Sequence, residues 1–474
     1  MRTPSRTALS TGVVALAAGV GGVAASFASV GLTREFVAQP IARASTDILP
    51  ARSIGAFVAE FGLSGQQLNL VLATTLTVLG LAGLAAFGLA VGHRAGVSAL
   101  AVLITIVSVW TVAAALTGNV IASGSPGLAS GIVVGLAEAA GRDIGDVELS
   151  PDRRRVVTGS LSALGLGAFG LSFSPRPQIE TEPVDAVSNP GGQTEAGTGM
   201  SVPELRELAT ERSLGVGSIE PLLSDYHYIV DINTIDPTVD RDSWTLSVTG
   251  AVDEEVELDY EELQNLPAEN RFSTLRCVGD SLNGKKMDTA IWTGVPVSEV
   301  LEQAGPDSDC DCVRLRAADD YYQEFPLSAL EDGLLAFGMN GRTISRGHGY
   351  PVRVLVPGHW GEVNVKWVTE IEVLEREAQG YWEKRGWHGT GPVNTVAKLW
   401  DGGDLDGIVH RDDGTIQLAG HAYAGTRGIE RVEVSTDGGD TWTDAELTEP
   451  LPGNDVWRQW SHTYDPPETQ HEVV

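Results

Sequence analysis

Lysine is nearly missing: the chain of 474 residues holds five, Lys285, Lys286, Lys366, Lys384 and Lys398. Acidic residues outnumber Lys and Arg by 63 to 32, giving a formal net charge of −31. A chain so short of clustered cations is not built to grip phosphate backbones, which excludes nucleic acid as a partner. Cysteine is scarce too, with only Cys277, Cys310 and Cys312. Three cysteines make no disulfide framework, and no C-x-x-C-H is present to carry a c-type haem. No pair of C-x-x-C motifs points to zinc or an iron–sulfur cluster. Cys310 and Cys312, two apart, would share one side of a strand and read as two inert thiols. Few Lys with many Asp and Glu keep a surface hydrated and self-repelling in high salt, a halophile's composition.

Mean hydropathy is +0.00, an average over two unlike parts. The first 141 residues hold four acids and six Arg, leaving a net charge of −33 on the rest. A membrane-spanning helix needs about 20 mostly apolar residues. Stretches 9–30, 68–91 and 97–116 meet this; 120–140, with Ser123, Gly124, Ser125, Pro126 and Glu138, reads as a weaker span or a re-entrant segment; 156–173 is short but clean. Residues 1–173 are therefore expected to be a multi-pass membrane anchor of four or five helices. With five, Arg2, Arg6, Arg94, Arg142 and Arg153 to Arg155 fall on one side, the cytoplasm, and the acidic part lies outside. Arg34, Arg43 and Arg52 in the outer loop run against that orientation. The run DRRRVVTGSLSALGLG (152–167) equally fits a twin-arginine export signal or plain flanking charge. The only His before residue 174 is His93, in a loop, so the spans are not read as a haem carrier.

Residues 174–217, rich in Pro, Gly, Thr and Glu, read as a flexible acidic linker. From 218 to 392 the pattern is α+β rather than repeated βαβ units. WTLSVTGAV (244–252), RFSTLRCVG (271–279, carrying Cys277), CVRLRAAD (312–319), PVRVLVPG (351–358) and VKWVTEIEVLE (365–375) are strand-like. YEELQNLP (260–267) and VPVSEVLEQAG (295–305) are short helices, the second closed by Gly. After Gly414 the chain alternates as strands with turn signals such as DGG. Residues 393–474 are expected to form an immunoglobulin-like β-sandwich. HEVV at 471–474 reads as the start of a strand, so the last strand or two would lie beyond it.

Several separated stretches resemble the sulfite oxidase family in order and spacing: WTLSVTG, TLRCVGD, IWTGVPVSEVL, the block LLAFGMNGRTISRGHGYPVRVLVPGHWGEVNVKW (334–367), GYWEKRGWHG and RVEVSTDGGDTW. The resemblance covers about 225–474 and leaves out the membrane part. It implies a molybdenum–molybdopterin cofactor, with Cys277 as the one protein ligand to the metal and the pterin dithiolene supplying the other sulfurs. A soft thiolate suits a sulfur-bound, high-valent molybdenum. His348, Arg353 and Lys366 fall at the family's matching positions for the pterin phosphate, where Arg offers a fork and Lys a point charge. Gly358 and Gly361 allow tight turns beside a ligand. His359 and Trp360 are pocket-lining candidates. Asp231 and Asn233 lie where relatives contact the cofactor. The sandwich resembles the family's dimerisation domain and implies a homodimer.

The chain also departs from that pattern. Family sulfite oxidases carry Arg shortly after the cysteine, where this chain has VGDSLNG (278–284), and in the opening motif, where it has YHYIVDIN (226–233). Their active-site Tyr falls at Trp387. These losses argue against efficient sulfite oxidation and leave the metal site intact; His388, Tyr321 and Tyr322 are substitute polar candidates. The expected function is two-electron oxygen-atom transfer outside the cytoplasmic membrane. Its substrate would be sulfite at a rebuilt anion site, or a sulfoxide such as oxidised methionine. A separate electron carrier is needed because the chain brings no haem. The non-enzyme alternative is a membrane-tethered binding or assembly protein.

Overall fold

A computed structural model describes residues 6–48, 51–142, 181–184, 198–216, 219–224, 226–232, 235–387, 391–400, 407–467 and 471–474. They divide into two compact units, one mainly from the first 142 residues and one mainly from 238 onward.

The first unit is helical: α1 (Arg6–Val30), α2 (Gln39–Ile48), α3 (Ala51–Ala95, from Glu60 on), α4 (Ser98–Thr117) and α5 (Gly124–Arg142). Among the described residues, three stretches are long and apolar enough to cross a membrane: Thr11–Val30, Gln67–Ala95 and Ser98–Thr117. Small residues let these helices meet closely; a Cβ on Gly19 would run into the Val78 carbonyl. The weaker fourth stretch forms α5, which packs on α1 and α4 and is not one of the three. Its Ser130 hydroxyl donates to Ala18 O at 2.9 Å, and its Glu138 meets His93 at 2.7 Å. The fifth stretch, 156–173, and the twin-arginine run lie outside the described residues.

The second unit opens on a surprise. Inside the stretch expected as tether, Val202–Arg212 is a helix, α6. Ser201 and Glu204 form its capping box, and Leu205 and Ala209, one turn apart, are buried. They pack with Phe272, Met287, Ile291 and Trp457. Val202, Leu205, Leu208 and Ala209 form a short stripe, with only Leu205 and Ala209 fully buried, that does not stand out in a polar sequence.

Two sheets form the middle of this unit. The first runs β2 (Val256–Asp259), β1 (Thr245–Gly250), β10 (Val368–Leu374), β5 (Cys312–Ala317), β6 (Tyr322–Pro326), with only β1 and β10 parallel. The second runs β3 (Glu269–Arg276), β4 (Met287–Pro296), β7 (Leu334–Met339), β8 (Arg342–Thr343), with β9 (Arg353–Leu355) also on β7. Helices α7 (Tyr260–Gln264), α8 (Val297–Ala304) and α9 (Leu327–Glu331) join them. A core of Leu246, Val248, Val295, Leu315, Leu335 and Ile371 draws on both sheets. Every residue of β3 and β4 is buried, so these strands do not alternate. Strand β3 stops at Arg276, which puts Cys277 at the start of a loop rather than on the strand.

Cys310 and Cys312 are not two inert thiols: they form a disulfide, with Cα atoms 5.2 Å apart. Asp311 between them takes a left-handed conformation (φ 46), which breaks the strand geometry assumed for the pair.

The C-terminal part is β-rich. One sheet runs β11 (Val396–Leu399), β13 (Ile416–Tyr423), β17 (Arg458–Tyr464), β16 (Glu446–Leu447), with β12 (Ile408–His410) on β13; β14 (Glu433–Val434) pairs with β15 (Thr443–Asp444). Leu418, Ala422, Val432, Val434 and Trp460 form their shared core. Val474 exchanges two 2.9 Å backbone bonds with Ser435.

Candidate functional site

Cys277 is the one free cysteine and is 8% exposed. Its N–H donates to Lys286 O at 2.9 Å and its carbonyl accepts from Asp280 N at 3.0 Å, closing the loop that carries it. Burial pushes the thiol up to about 11; the Gly279 amide and the Lys286 charge pull the other way. A metal cation would reverse that balance and take the thiolate. Beneath the loop lies Asp280. Its carboxylate accepts from Lys286 N at 3.0 Å and meets Lys398 Nζ, from β11, at 2.8 Å. Both side chains of that ion pair are fully buried. Arg276 Nε lies 3.5 Å from the same carboxylate, and its guanidinium sits 5.1 Å from the Trp360 ring centre. Gly361 N–H holds Arg276 O at 2.7 Å, and a Cβ on Gly361 would press on the Tyr228 hydroxyl.

On one flank, cationic and imidazole groups gather. Arg353, 5% exposed, donates to His348 O at 3.1 Å and Asn364 O at 2.9 Å, 5.2 Å from the Trp292 ring centre. Lys366 Nζ donates to Gly347 O at 3.0 Å and Val230 O at 3.2 Å. His348 is set by Ser345 Oγ at 2.7 Å and His227 O at 3.1 Å. His227 packs its ring 5.4 Å from that of His348 and 5.5 Å from that of Trp292. Burial, then Arg353, holds His348 at about 4; burial, then His348, Arg353 and Lys366, holds His227 well below its usual range. His227 Nε2 and Arg353 Nε are buried without a hydrogen-bond partner among the described residues. Nδ1 of His227 donates to Tyr228 O at 3.2 Å, which leaves Nε2 of the neutral ring an acceptor, so Arg353 Nε is the orphaned donor, and a buried guanidinium N–H of this kind calls for an anion.

The other flank is acidic and aromatic. Tyr321 donates to the Glu362 carbonyl oxygen at 2.8 Å, and Gln323 Nε2 reaches Glu383 at 3.2 Å. The rings of Tyr321 and Tyr381 lie 5.5 Å apart, Tyr381 and Trp382 5.2 Å, Trp382 and Trp387 4.9 Å.

The structure thus brings together His348, Arg353 and Lys366, and Tyr228, stacked on His227, feels the charges of both Arg353 and Cys277. Gly358 (φ 71) sits at the join with the C-terminal part: its N–H donates to Asp455 at 2.9 Å, and a Cβ there would crowd Thr426. His359 turns its Nδ1 to Pro357 O at 2.9 Å. Asp231 groups with the helical unit and is not described with this site. Asn233 and His388 lie outside the described residues. Sequence reasoning passed over His227, Glu362 and the Asp280–Lys398 pair; a His in the opening motif, where Arg was sought, was the one legible signal.

Residues 233–382 match the family described as oxidoreductase molybdopterin binding domain, and 394–464 the Mo-co oxidoreductase dimerisation domain. Over residues 233–464 the chain belongs with the sulfite oxidase family of molybdopterin oxidoreductases. It is 31% identical to the mitochondrial sulfite oxidase of Rattus norvegicus over 286 residues, 50% of this chain and 52% of that one. The chain thus spans about half the length of that relative. The NADH nitrate reductase of Spinacia oleracea is 27% identical over 291 residues, 49% of this chain and 31% of that one. The solved sulfane dehydrogenase SoxCD of Paracoccus pantotrophus aligns at a TM-score of 0.45 and 20% identity over 55% of this chain and 72% of that one, too loosely to carry an argument. The family implies the molybdenum cofactor. The residues present fit it: a buried thiol suits the metal, and the orphaned Nε of Arg353, with Lys366 in the same cluster, suits a phosphate.

Proposed function

We propose that this protein is a membrane-tethered molybdenum enzyme that transfers an oxygen atom, with two electrons, to or from a substrate outside the cytoplasmic membrane. The observation that carries the reading is a single buried free thiol, Cys277, with Tyr228 linking it to the cluster of His227, His348, Arg353 and Lys366. When bound, the molybdenum–molybdopterin group supplies the redox centre and passes electrons to or from a separate carrier. Cys277 holds the metal. Arg353 and Lys366, fixed by main-chain oxygens, hold the phosphate, and the two imidazoles complete that end of the site. The Asp280–Lys398 pair keeps the Cys277 loop in place. Two copies join through the C-terminal part as a homodimer.

The Cys310–Cys312 disulfide supports an extracytoplasmic setting, since such bonds persist in oxidising compartments. The pocket favours a sulfoxide over sulfite. Val278 to Gly284 brings no Arg, and the cation next to Cys277 in sequence, Arg276, is engaged by Asp280 and by Asn394 O at 3.2 Å. A dianion would find no unengaged guanidinium there.

Elemental analysis of purified native protein and Cys277→Ser tests the core of this. About one molybdenum per chain, lost in the variant, is the expected result. Native protein without molybdenum, from a cofactor-competent host, would promote the binding or assembly role instead.

A further inference from the structure

Glu362 is a buried acid that nothing in the site so far employs. It follows Gly361, whose N–H holds the carbonyl of Arg276, so its main chain is tied next to the residue that precedes Cys277. Tyr321 pins its other side through the 2.8 Å bond to the Glu362 carbonyl. Both carboxyl oxygens are closed off from solvent, and no described residue hydrogen-bonds to either. No other Asp or Glu among the described residues has both oxygens in that state. The backbone around Glu362 is fixed, then, while its acid group is left without protein partners.

A carboxyl that exists to hold the fold would be given donors, because an unpartnered buried anion is expensive. One that must gain and lose a proton beside a reaction is served by few fixed bonds. We propose that Glu362 exchanges protons with the substrate oxygen at the Cys277 site. This rests on the oxygen-atom-transfer reading above. Reducing a sulfoxide breaks its S–O bond, leaves the electron pair on sulfur and releases the oxygen as water. That consumes two electrons, from the separate electron carrier, and two protons, delivered from water by way of Glu362. In the oxidative direction the same carboxylate accepts protons.

The titratable groups around it come from three other segments: Glu383, Tyr321 and Cys277, with Asp319 and Tyr381 next to Tyr321. Burial first, and then Glu383, pushes Glu362 up to about 8. At neutral pH the acid is protonated yet close enough to titration to cycle.

Glu362→Gln keeps the size and removes the exchangeable acid proton. Infrared difference spectra of molybdenum-replete protein, taken about two pH units below and above that pKa, need no turnover. They should show a protonated-carboxyl band lost at the higher pH in the native protein and absent from the variant. Turnover of methionine sulfoxide with a reduced viologen dye should fall about 10²- to 10⁴-fold in kcat, with a smaller change in KM. The native decline through pH 8 should vanish, and Glu362→Asp should recover part of the rate. A missing band, or a Gln variant within about threefold of native kcat at equal molybdenum content, overturns the role of Glu362 alone. Absence of molybdenum from the native protein overturns the enzyme reading itself, so the two failures are distinct.

Discussion

The two flanks of the Cys277 loop are charged oppositely and secured differently. On the cationic flank Arg353 and Lys366 are clamped by carbonyls of Val230, Gly347, His348 and Asn364, and His348 by Ser345 and His227. On the acidic flank the main chain of Glu362 is clamped, but its carboxyl is not. Groups that hold a fixed charge in place are tied to backbone, where the geometry cannot drift. A group that changes its charge is left loose at the tip. Asp280 offers an internal control, since it is a buried carboxylate with a full set of partners.

The largest effect should come from breaking that control. Asp280→Ala leaves the Lys398 amine buried without its partner, and a loss of about 3–5 kcal/mol in unfolding free energy is expected. Adding Lys398→Met should restore much of it, as urea midpoints will show; no recovery would mean the pair is not what holds the loop. Next in size, Arg353→Met should cost about 2–3 kcal/mol by stranding two carbonyls. It should also empty the site of molybdenum, read as metal per chain. Retention of a full complement would place the phosphate grip elsewhere. Smallest is a pH effect. Burial raises Asp455 to about 6 from an unfolded value near 3.8, against the pull of Tyr423, Ser273 and Gly358. The folded state therefore binds more protons than the unfolded one between those values, and stability falls as pH rises across the window. Asp455→Asn should flatten that fall, by no more than about 3 kcal/mol. A native protein that gains stability over the same range would reverse the sign of the argument.

The sequence made Cys277, Arg353 and Lys366 legible because each stands in a motif whose neighbours repeat the family's pattern. Strands β1, β5 and β10 and helix α8 were readable from alternation and from a closing Gly. The Asp280–Lys398 pair was not readable, because 118 residues separate its members and only the fold joins them. Glu362 lay in plain sight within the most specific block, but nothing local tells a solvated Glu from one whose oxygens are sealed off. His227 was missed because a search for Arg passes over a neutral ring. The disulfide was hidden by treating Cys310 to Cys312 as extended, when Asp311 turns the chain back. Helix α6 was lost in a Pro-, Gly-, Thr- and Glu-rich stretch, and its apolar residues, Val202, Leu205, Leu208 and Ala209, span only about two turns.

The position of Lys398 also ties two distant stretches of chain into one piece. The Cys277 loop belongs to the middle of the second unit, and the amine beneath it comes from β11 in the C-terminal part. Anything that loosens that part strips a charge partner from Asp280, which would be left with Arg276 and the Lys286 amide. The β-rich end of the chain is thus a structural support of the thiol loop as well as a neighbour to it.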